Sequence, residues 1–234
     1  GGEGGNDNIS AGAGADTVYG DAGGDGGEGG DDTIAGGSGA DTIYGDFGLD
    51  GGEGGDDAIF GESGNDIIVG DFGGDGGEGG SDIIHGGADN DTLSGDFMGS
   101  ATDGEREGAD IVIGGTGADA IYGWAALVGP AGFGGDILVG GDVTHDQVAL
   151  AAIRAEWTSA RTYVDRVANI TNGSGSVVGV NGTNYLSTGS TVLDDAAVDE
   201  IWGDSTTVDE WFLLKLTEDL LSGEQPGEIK TNTP

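Results

Sequence analysis

Aspartates recur along this chain at a fixed interval, each followed two residues later by a large apolar side chain. One series has Asp7, Asp32, Asp57 and Asp82 at a constant step, and continues less regularly at Asp110 and Asp136. A second series, nine residues after the first, has Asp16, Asp41, Asp66 and Asp91, and ends at Asp119. Because carboxylate oxygens are preferred ligands of hard cations such as Ca²⁺, rows of regularly spaced carboxylates predict rows of metal sites.

The net charge of the chain also favours cation binding. It has 44 Asp and Glu against 6 Lys and Arg, a formal net charge of −38. Self-repulsion of this size opposes a compact fold unless cations neutralise it. Nucleic acid and anionic membranes are excluded as partners, because binding them requires a basic surface. No apolar run approaches the roughly 18 residues of a membrane span.

Glycine and cysteine usage narrows the structural class. Glycine makes up 55 of 234 residues and proline only 3, which excludes collagen. The absence of cysteine excludes disulfides and thiolate metal sites. High charge and glycine content favour disorder, which we expect of the metal-free chain, whereas the regular apolar spacing predicts order once metal is bound.

Two short strands in each repeat would hold these aspartates in fixed positions along the fold. The pattern predicts an all-β fold, a parallel β-roll solenoid with about 25 residues per coil, in which the apolar residues of each Asp-x-apolar motif face inward. They form two stacks, Val18, Ile43, Ile68, Leu93 and Ile121 on one side and Ile9, Ile34, Ile59, Ile84, Val112 and Ile137 on the other. A core this thin buries too little surface to offset chain entropy alone, so metal binding is expected to contribute to folding.

The shorter of the two turns follows a known pattern. Residues 36–44 match Gly-Gly-x-Gly-x-Asp-x-U-x, with U a large apolar residue, and related copies occupy residues 11–19, 61–69, 86–94 and 114–122. This part of the chain resembles the RTX, or hemolysin-type, calcium-binding repeat family. The resemblance implies that several Ca²⁺ ions bind, each shared by the turns of adjacent coils.

The resemblance also implies a ligand set. Asp41 and Asp66 would hold one ion together with carbonyl oxygens of neighbouring turn residues. Over all short turns the implied residues are Gly12, Gly14, Asp16, Gly36, Ser38, Gly39, Asp41, Gly61, Glu62, Ser63, Gly64, Asp66, Gly86, Ala88, Asp91, Gly114, Thr116, Gly117 and Asp119. The candidates on the opposite side are Asp7, Asp32, Asp57, Asp82, Asp110 and Asp136.

The longer turn, residues 45–57 in one coil, departs from the family pattern. Each coil is seven residues longer than two nonapeptides. These extra residues contain acidic columns of their own, Asp21, Asp46, Asp71 and Asp96, then Asp25, Asp50 and Asp75, then Glu3, Glu28, Glu53 and Glu78. Stacked at about 4.8 Å, like charges repel, so the two aspartate columns are candidates for a second set of Ca²⁺ sites. The alternative is a diffuse cation cloud.

The composition changes after residue 141, so we predict a β-roll at 1–141 and an α+β capping region at 142–234. The cap is expected to contain one long helix, 144–169, begun by a capping box at Thr144. A hairpin at 177–186, degenerate repeats at 199–204 and 209–212, and a candidate secretion signal at 211–234 would follow. The helix and aromatic strands are expected to cover the open end of the solenoid.

No catalytic motif is visible, and we expect no enzyme activity. Three functions remain open. The leading one is a calcium-binding structural or adhesive segment of a secreted cell-surface protein, which folds outside the cell and binds further copies of itself or surface components. The second is the C-terminal secretion and folding module of a secreted hydrolase or toxin. The third, an ice-binding surface, needs a regular threonine array, which Ile67 interrupts. The chain begins inside a repeat, so we expect it to belong to a longer protein.

Overall fold

The computed structural model describes residues 2–48, 50–74, 77–98, 108–124, 135–187, 190–193, 195–202, 211–214, 219–222 and 229–232. Two parallel sheets dominate it. The first sheet contains, in spatial order, β1 (Asn8–Ala13), β3 (Thr33–Ser38), β5 (Ala58–Ser63), β7 (Ile83–Ala88), β9 (Ile111–Thr116), β11 (Ile137–Val139), β15 (Trp211–Leu214) and β17 (Ile229–Asn232). The second contains β2 (Thr17–Ala22), β4 (Thr42–Phe47), β6 (Ile67–Gly73), β8 (Thr92–Met98), β10 (Ala120–Trp124), β14 (Glu200–Trp202) and β16 (Leu220–Ser222).

Equivalent residues of successive coils lie side by side. Ile9 pairs with Ile34, Ile34 with Ile59 and Ile59 with Ile84 at a constant step, while the later step from Ile84 to Val112 is longer. Strands alternate between the two sheets along the chain, as they must when each coil contributes one strand to each. The predicted parallel β-solenoid with about 25 residues per coil is confirmed.

The apolar residues of the motif form the core between the sheets. Ile34, Ile43, Ile59 and Ile68 are fully buried in one continuous cluster. One inward residue was predicted wrongly: Val112 pairs with Leu138, so Leu138 and not Ile137 continues the stack. Strand alternation turns the preceding residue to the opposite face of the sheet.

The long turn adds a third line of backbone pairing. Glu3, Glu28, Glu53 and Glu78 form successive parallel bridges. The backbone N–H of Gly29 donates to the Glu53 carbonyl at 2.7 Å. The long turn is therefore ordered by backbone hydrogen bonds between coils, which its glycine-rich sequence did not predict.

The predicted long helix is two helices, α1 (Gln147–Trp157) and α2 (Tyr163–Asn172). Asp146, not Thr144, caps the first helix by accepting from the backbone N–H of Ala149 at 3.0 Å. Thr162 caps the second. Hydroxyl residues around 158–162 bond to local backbone groups, which ends one helix and starts the next. The described residues of the predicted hairpin at 177–186 form no strand.

The helices pack against the outer face of the first sheet instead of covering the open end. Trp157 lies in a cluster with Ile83, Ile111 and Trp211, all of which face away from the roll interior. A second anchor is Arg154, whose guanidinium donates to the Ser81 carbonyl. The helices pack on this flank of the solenoid because the strand residues that face outward there are apolar.

The degenerate repeats continue the solenoid. β14 pairs with β10, and β15 pairs with β11. A short antiparallel pair, β12 (Asp142–Val143) with β13 (Val192–Leu193), joins the helical segment to the roll. The division at residue 141 stays a prediction, and much of the predicted secretion signal lies outside the described residues. Across the part of the chain that is described, none of the helices is both long and apolar enough to span a membrane.

Candidate metal centre

The two aspartate series stack by a repeated hydrogen bond. In each pair, the backbone N–H of one aspartate donates to Oδ1 of its equivalent in the next coil, as from Asp41 to Asp66 at 2.8 Å and from Asp32 to Asp57 at 2.7 Å. The first series runs in this way from Asp7 to Asp136, and the second from Asp16 to Asp119. The second then continues through Asp199 to Asp219. One carboxylate oxygen of each aspartate thus fixes the register of the coils.

The second carboxylate oxygen, Oδ2, takes no part in this stacking. Oδ2 is buried and has no hydrogen-bond partner in Asp16, Asp32, Asp41, Asp57, Asp66, Asp82, Asp91, Asp110 and Asp119. Most of these side chains are at most 2 % exposed. Buried carboxylate oxygens normally have a partner, so these two regular columns of unpartnered oxygens fit a positively charged ligand.

Glycines on the short-turn side allow candidate ligand oxygens to approach the backbone closely. A Cβ added at Gly36 would lie 2.9 Å from Asp41 Oδ2 and 3.0 Å from the Gly61 carbonyl oxygen. The same arrangement recurs at Gly61, Gly86 and Gly114. The glycine thus lets an anionic oxygen and a carbonyl oxygen approach the same point of the backbone, an arrangement that we call a cradle. Oxygens of these two kinds are the ligands that Ca²⁺ prefers. In the first coil Ala11 occupies the position equivalent to Gly36, so the cradle there contains a methyl group.

The short turns owe their shape to left-handed backbone. Gly37 and Gly39 have φ of 107° and 133°. In the next two coils Glu62 adopts φ 73° and Asp89 φ 79° where other coils have glycine. These predicted turn residues therefore keep the family geometry at some conformational cost.

The long-turn side contains a related cradle that has more carboxylate groups near it. A Cβ added at Gly45 would overlap Asp57 Oδ2 and lie 2.5 Å from the Gly70 carbonyl oxygen. The equivalent cradles are at Gly20, Gly70 and Gly95. The sequence prediction missed these glycines, although each directly precedes an aspartate of the column Asp21, Asp46, Asp71 and Asp96.

Carboxylates of the long turn converge on the cradles at Gly20, Gly45 and Gly70. Ligand oxygens of three aspartates lie within 4.8 Å of one another in each of three groups, which are Asp21 with Asp32 and Asp46, Asp46 with Asp57 and Asp71, and Asp71 with Asp82 and Asp96. The sequence predicted both columns but not that they meet. Asp25 and Asp50 lie on the exposed corner and belong to none of the three groups, and Asp75 lies outside the described residues.

Burial makes ionisation of these groups costly. Desolvation, together with the neighbouring carboxylates of Asp119 and Asp66, raises the pKa of Asp91 to about 8 against an opposing hydrogen bond from the Asp66 N–H. Desolvation followed by nearby carboxylates raises the pKa of Asp82 and Asp110 well above 3.8. The folded chain cannot hold all of these carboxylates charged near neutral pH unless cations compensate them.

The chain is thus a parallel β-solenoid whose columns of carboxylates are prepared for hard cations. The sequence profile of the family described as RTX calcium-binding nonapeptide repeat (4 copies) matches residues 2–26, 27–51, 52–76, 77–97 and 106–126, half of the chain. The chain belongs to this family, and its repeats are structural calcium-binding motifs. Comparisons with curated proteins and with solved structures gave no match.

Proposed function

We propose that this chain is a Ca²⁺-dependent structural segment of a secreted cell-surface protein, unfolded where Ca²⁺ is scarce and folded where it is plentiful. The observation that carries the proposal is the two columns of buried, unpartnered Oδ2 atoms, nine among the residues that the structure describes. In the family arrangement, Asp41 and Asp66 hold one ion with turn carbonyls of Gly36, Ser38, Glu62 and Gly64, and matching turns act in the same way.

The free-energy cost of burying these unpartnered oxygens supports the proposed dependence on calcium. One unsatisfied buried polar group costs about 1–3 kcal/mol, and a charged one more. A whole domain has a stability of only about 5–15 kcal/mol. Nine such oxygens therefore outweigh the stability that a thin apolar core supplies. Ca²⁺ binding removes the penalty and so contributes its free energy directly to folding.

The same dependence supports a location outside the cell. A segment that folds only with abundant Ca²⁺ stays extended in a calcium-poor cytoplasm and passes a narrow secretion channel unfolded. Outside, Ca²⁺ drives folding. The proposal includes self-association of the folded solenoid at the cell surface.

Calcium removal tests the proposal. Far-UV circular dichroism and small-angle scattering of the full chain should show a folded solenoid with Ca²⁺ and an expanded coil after EDTA, with recovery when Ca²⁺ is restored. Mg²⁺ is the control, because it demands a smaller octahedral site and keeps its waters. A chain that keeps its spectrum and radius in EDTA contradicts the proposal.

Light scattering tests assembly separately. Ca²⁺-dependent growth in mass supports self-association, whereas a monomer under all calcium concentrations removes assembly from the proposal and leaves calcium-dependent folding in place.

A further inference from the structure

The two sides of each coil contain the same cradle built with different spacing. On the short-turn side Gly36 faces the Oδ2 of Asp41, five residues further on, beside a carbonyl oxygen of the next coil. On the long-turn side Gly45 faces the Oδ2 of Asp57, twelve residues further on, again beside a carbonyl oxygen of the next coil. Seven residues are thus inserted between the glycine and the aspartate while the contents of the cradle stay the same.

The inserted segment brings its own carboxylate. It begins with Asp46, whose side chain is 5 % exposed. Its Oδ2 accepts from the backbone N–H of Gly55 at 2.8 Å, and its Oδ1 accepts from that of Asp21 at 3.1 Å. Each carboxylate oxygen has two lone pairs, so Asp46 can order the long turn and still bind a cation.

Asp46 meets two further carboxylates. Oxygens of Asp46, Asp57 and Asp71 lie within 4.8 Å of one another, and all three side chains are buried. Asp57 Oδ2 has no hydrogen-bond partner and is fully buried. Within the described ranges, groups of three potential metal ligands at this distance occur on the long-turn side alone.

We propose that the long-turn cradles at Gly20, Gly45 and Gly70, which correspond to the three groups, form a second class of cation site, in which three carboxylates hold one hard, oxygen-preferring cation more tightly than the nonapeptide sites do. This rests on the proposed function, because both classes act in the same calcium-dependent fold. Affinity for Ca²⁺ rises with the number of charged ligands. The long-turn sites therefore fill at a free Ca²⁺ concentration about tenfold lower than the short-turn sites, and they prefer a trivalent lanthanide ion.

Charge balance along the column supports consecutive occupation. Each coil contributes two buried carboxylates to the long-turn side, as with Asp46 and Asp57, and one to the short-turn side, as with Asp41. One divalent ion per coil neutralises the former pair. Three ions can therefore bind in the three successive groups without a growing positive charge.

A matched pair of variants separates the two classes. Asp57→Asn and Asp66→Asn each keep an Oδ1 acceptor for the stacking hydrogen bond, at 2.7 Å and 2.8 Å in the parent. Each places an amide at the orphaned Oδ2 position, on the long-turn and short-turn side respectively. Bound Ca²⁺ per full chain is counted by equilibrium dialysis and elemental mass spectrometry across free Ca²⁺ concentration.

The parent should bind about three ions in a first step, one for each group. Asp57→Asn should lose about one ion from that step, and Asp66→Asn should lose ions only from the later step. A single-step isotherm, or loss from the same step in both variants, overturns the second class of site. A parent chain that binds no Ca²⁺ or does not fold with it refutes the proposed function instead.

If either variant fails to fold, La³⁺ added to the calcium-loaded parent gives an independent measurement. Release of about three Ca²⁺ before the remainder supports the proposal, and proportional release from all sites overturns it.

Discussion

Protons and Ca²⁺ should act as alternative ligands of the same buried carboxylates. Asp91 shows the size of the effect. Desolvation raises its pKa to about 8 in the folded chain, against 3.8 for an exposed aspartate. Between these values the folded chain holds a proton that the unfolded chain releases, so stability is greatest at low pH and is lost as the pH rises towards 8. Each pH unit corresponds to about 1.4 kcal/mol.

Acidification from about pH 7 to about pH 5 should therefore stabilise the calcium-free fold by about 2 kcal/mol through Asp91 alone, after allowance for solvent screening. The other aspartates with raised pKa act in the same direction. In saturating Ca²⁺ the sign reverses, because protons then displace a bound cation from ionised carboxylates. The calcium-free chain should gain structure on acidification while the calcium-loaded chain loses stability.

Far-UV circular dichroism in EDTA across this pH range, with urea unfolding in Ca²⁺, measures both slopes. Asp91→Asn removes the titrating group but keeps the acceptor for the Asp66 N–H, so it should flatten the calcium-free slope. Asp25→Asn, on the exposed corner, removes the same charge and should leave the slope unchanged. A calcium-free chain equally unfolded at both pH values, or equal effects of the two variants, refutes the reasoning.

Three further perturbations follow from the geometry. Gly45→Ala should weaken calcium-induced folding at least tenfold in free Ca²⁺ concentration, since its methyl group would overlap Asp57 Oδ2, whereas Gly24→Ala, with no atom within 4 Å, should not; equal midpoints in a calcium titration would exclude a ligand in that cradle. Trp157→Ala should lower the free energy of unfolding in Ca²⁺ by about 3–5 kcal/mol because the side chain is fully buried, as urea unfolding would show; a loss under about 1 kcal/mol would mean that the helices do not pack firmly on the roll. Glu62→Gly should stabilise the loaded fold by about 1 kcal/mol, because φ is 73° there; destabilisation would show that the Glu62 side chain contributes to the site.

The repeating part of the fold could be predicted from the sequence. A strict repeat step with an apolar residue after each aspartate allows one register only, since a shift by one residue would expose the whole stack. Ile34 and Ile43 are accordingly buried in one core. The Asp-tipped short turn could be predicted as well, because glycine spacing and the aspartate lie within nine residues of each other.

The cap was harder to predict because its contacts are distant in sequence. The apolar stripe from Leu150 to Val167 continues across the break between the helices, so periodicity alone favoured one helix. The break follows from local caps at Thr158 and Thr162. Trp157 packs near Trp211 with ring centroids 6.4 Å apart, and no local pattern reveals that the flank of the roll, rather than its end, accepts this side chain.

The amino-acid sequence is enough to specify the columns of carboxylates and the cation chemistry that they require, because identical residues at a fixed step must stack in a parallel solenoid. Which columns meet depends on the three-dimensional fold. Asp46 and Asp57 are eleven residues apart, yet the fold of the long turn brings their oxygens to the same cradle beside Asp71. That convergence depends on the path of seven inserted residues, which is set by hydrogen bonds between coils such as that from Gly29 to Glu53 and not by local propensity.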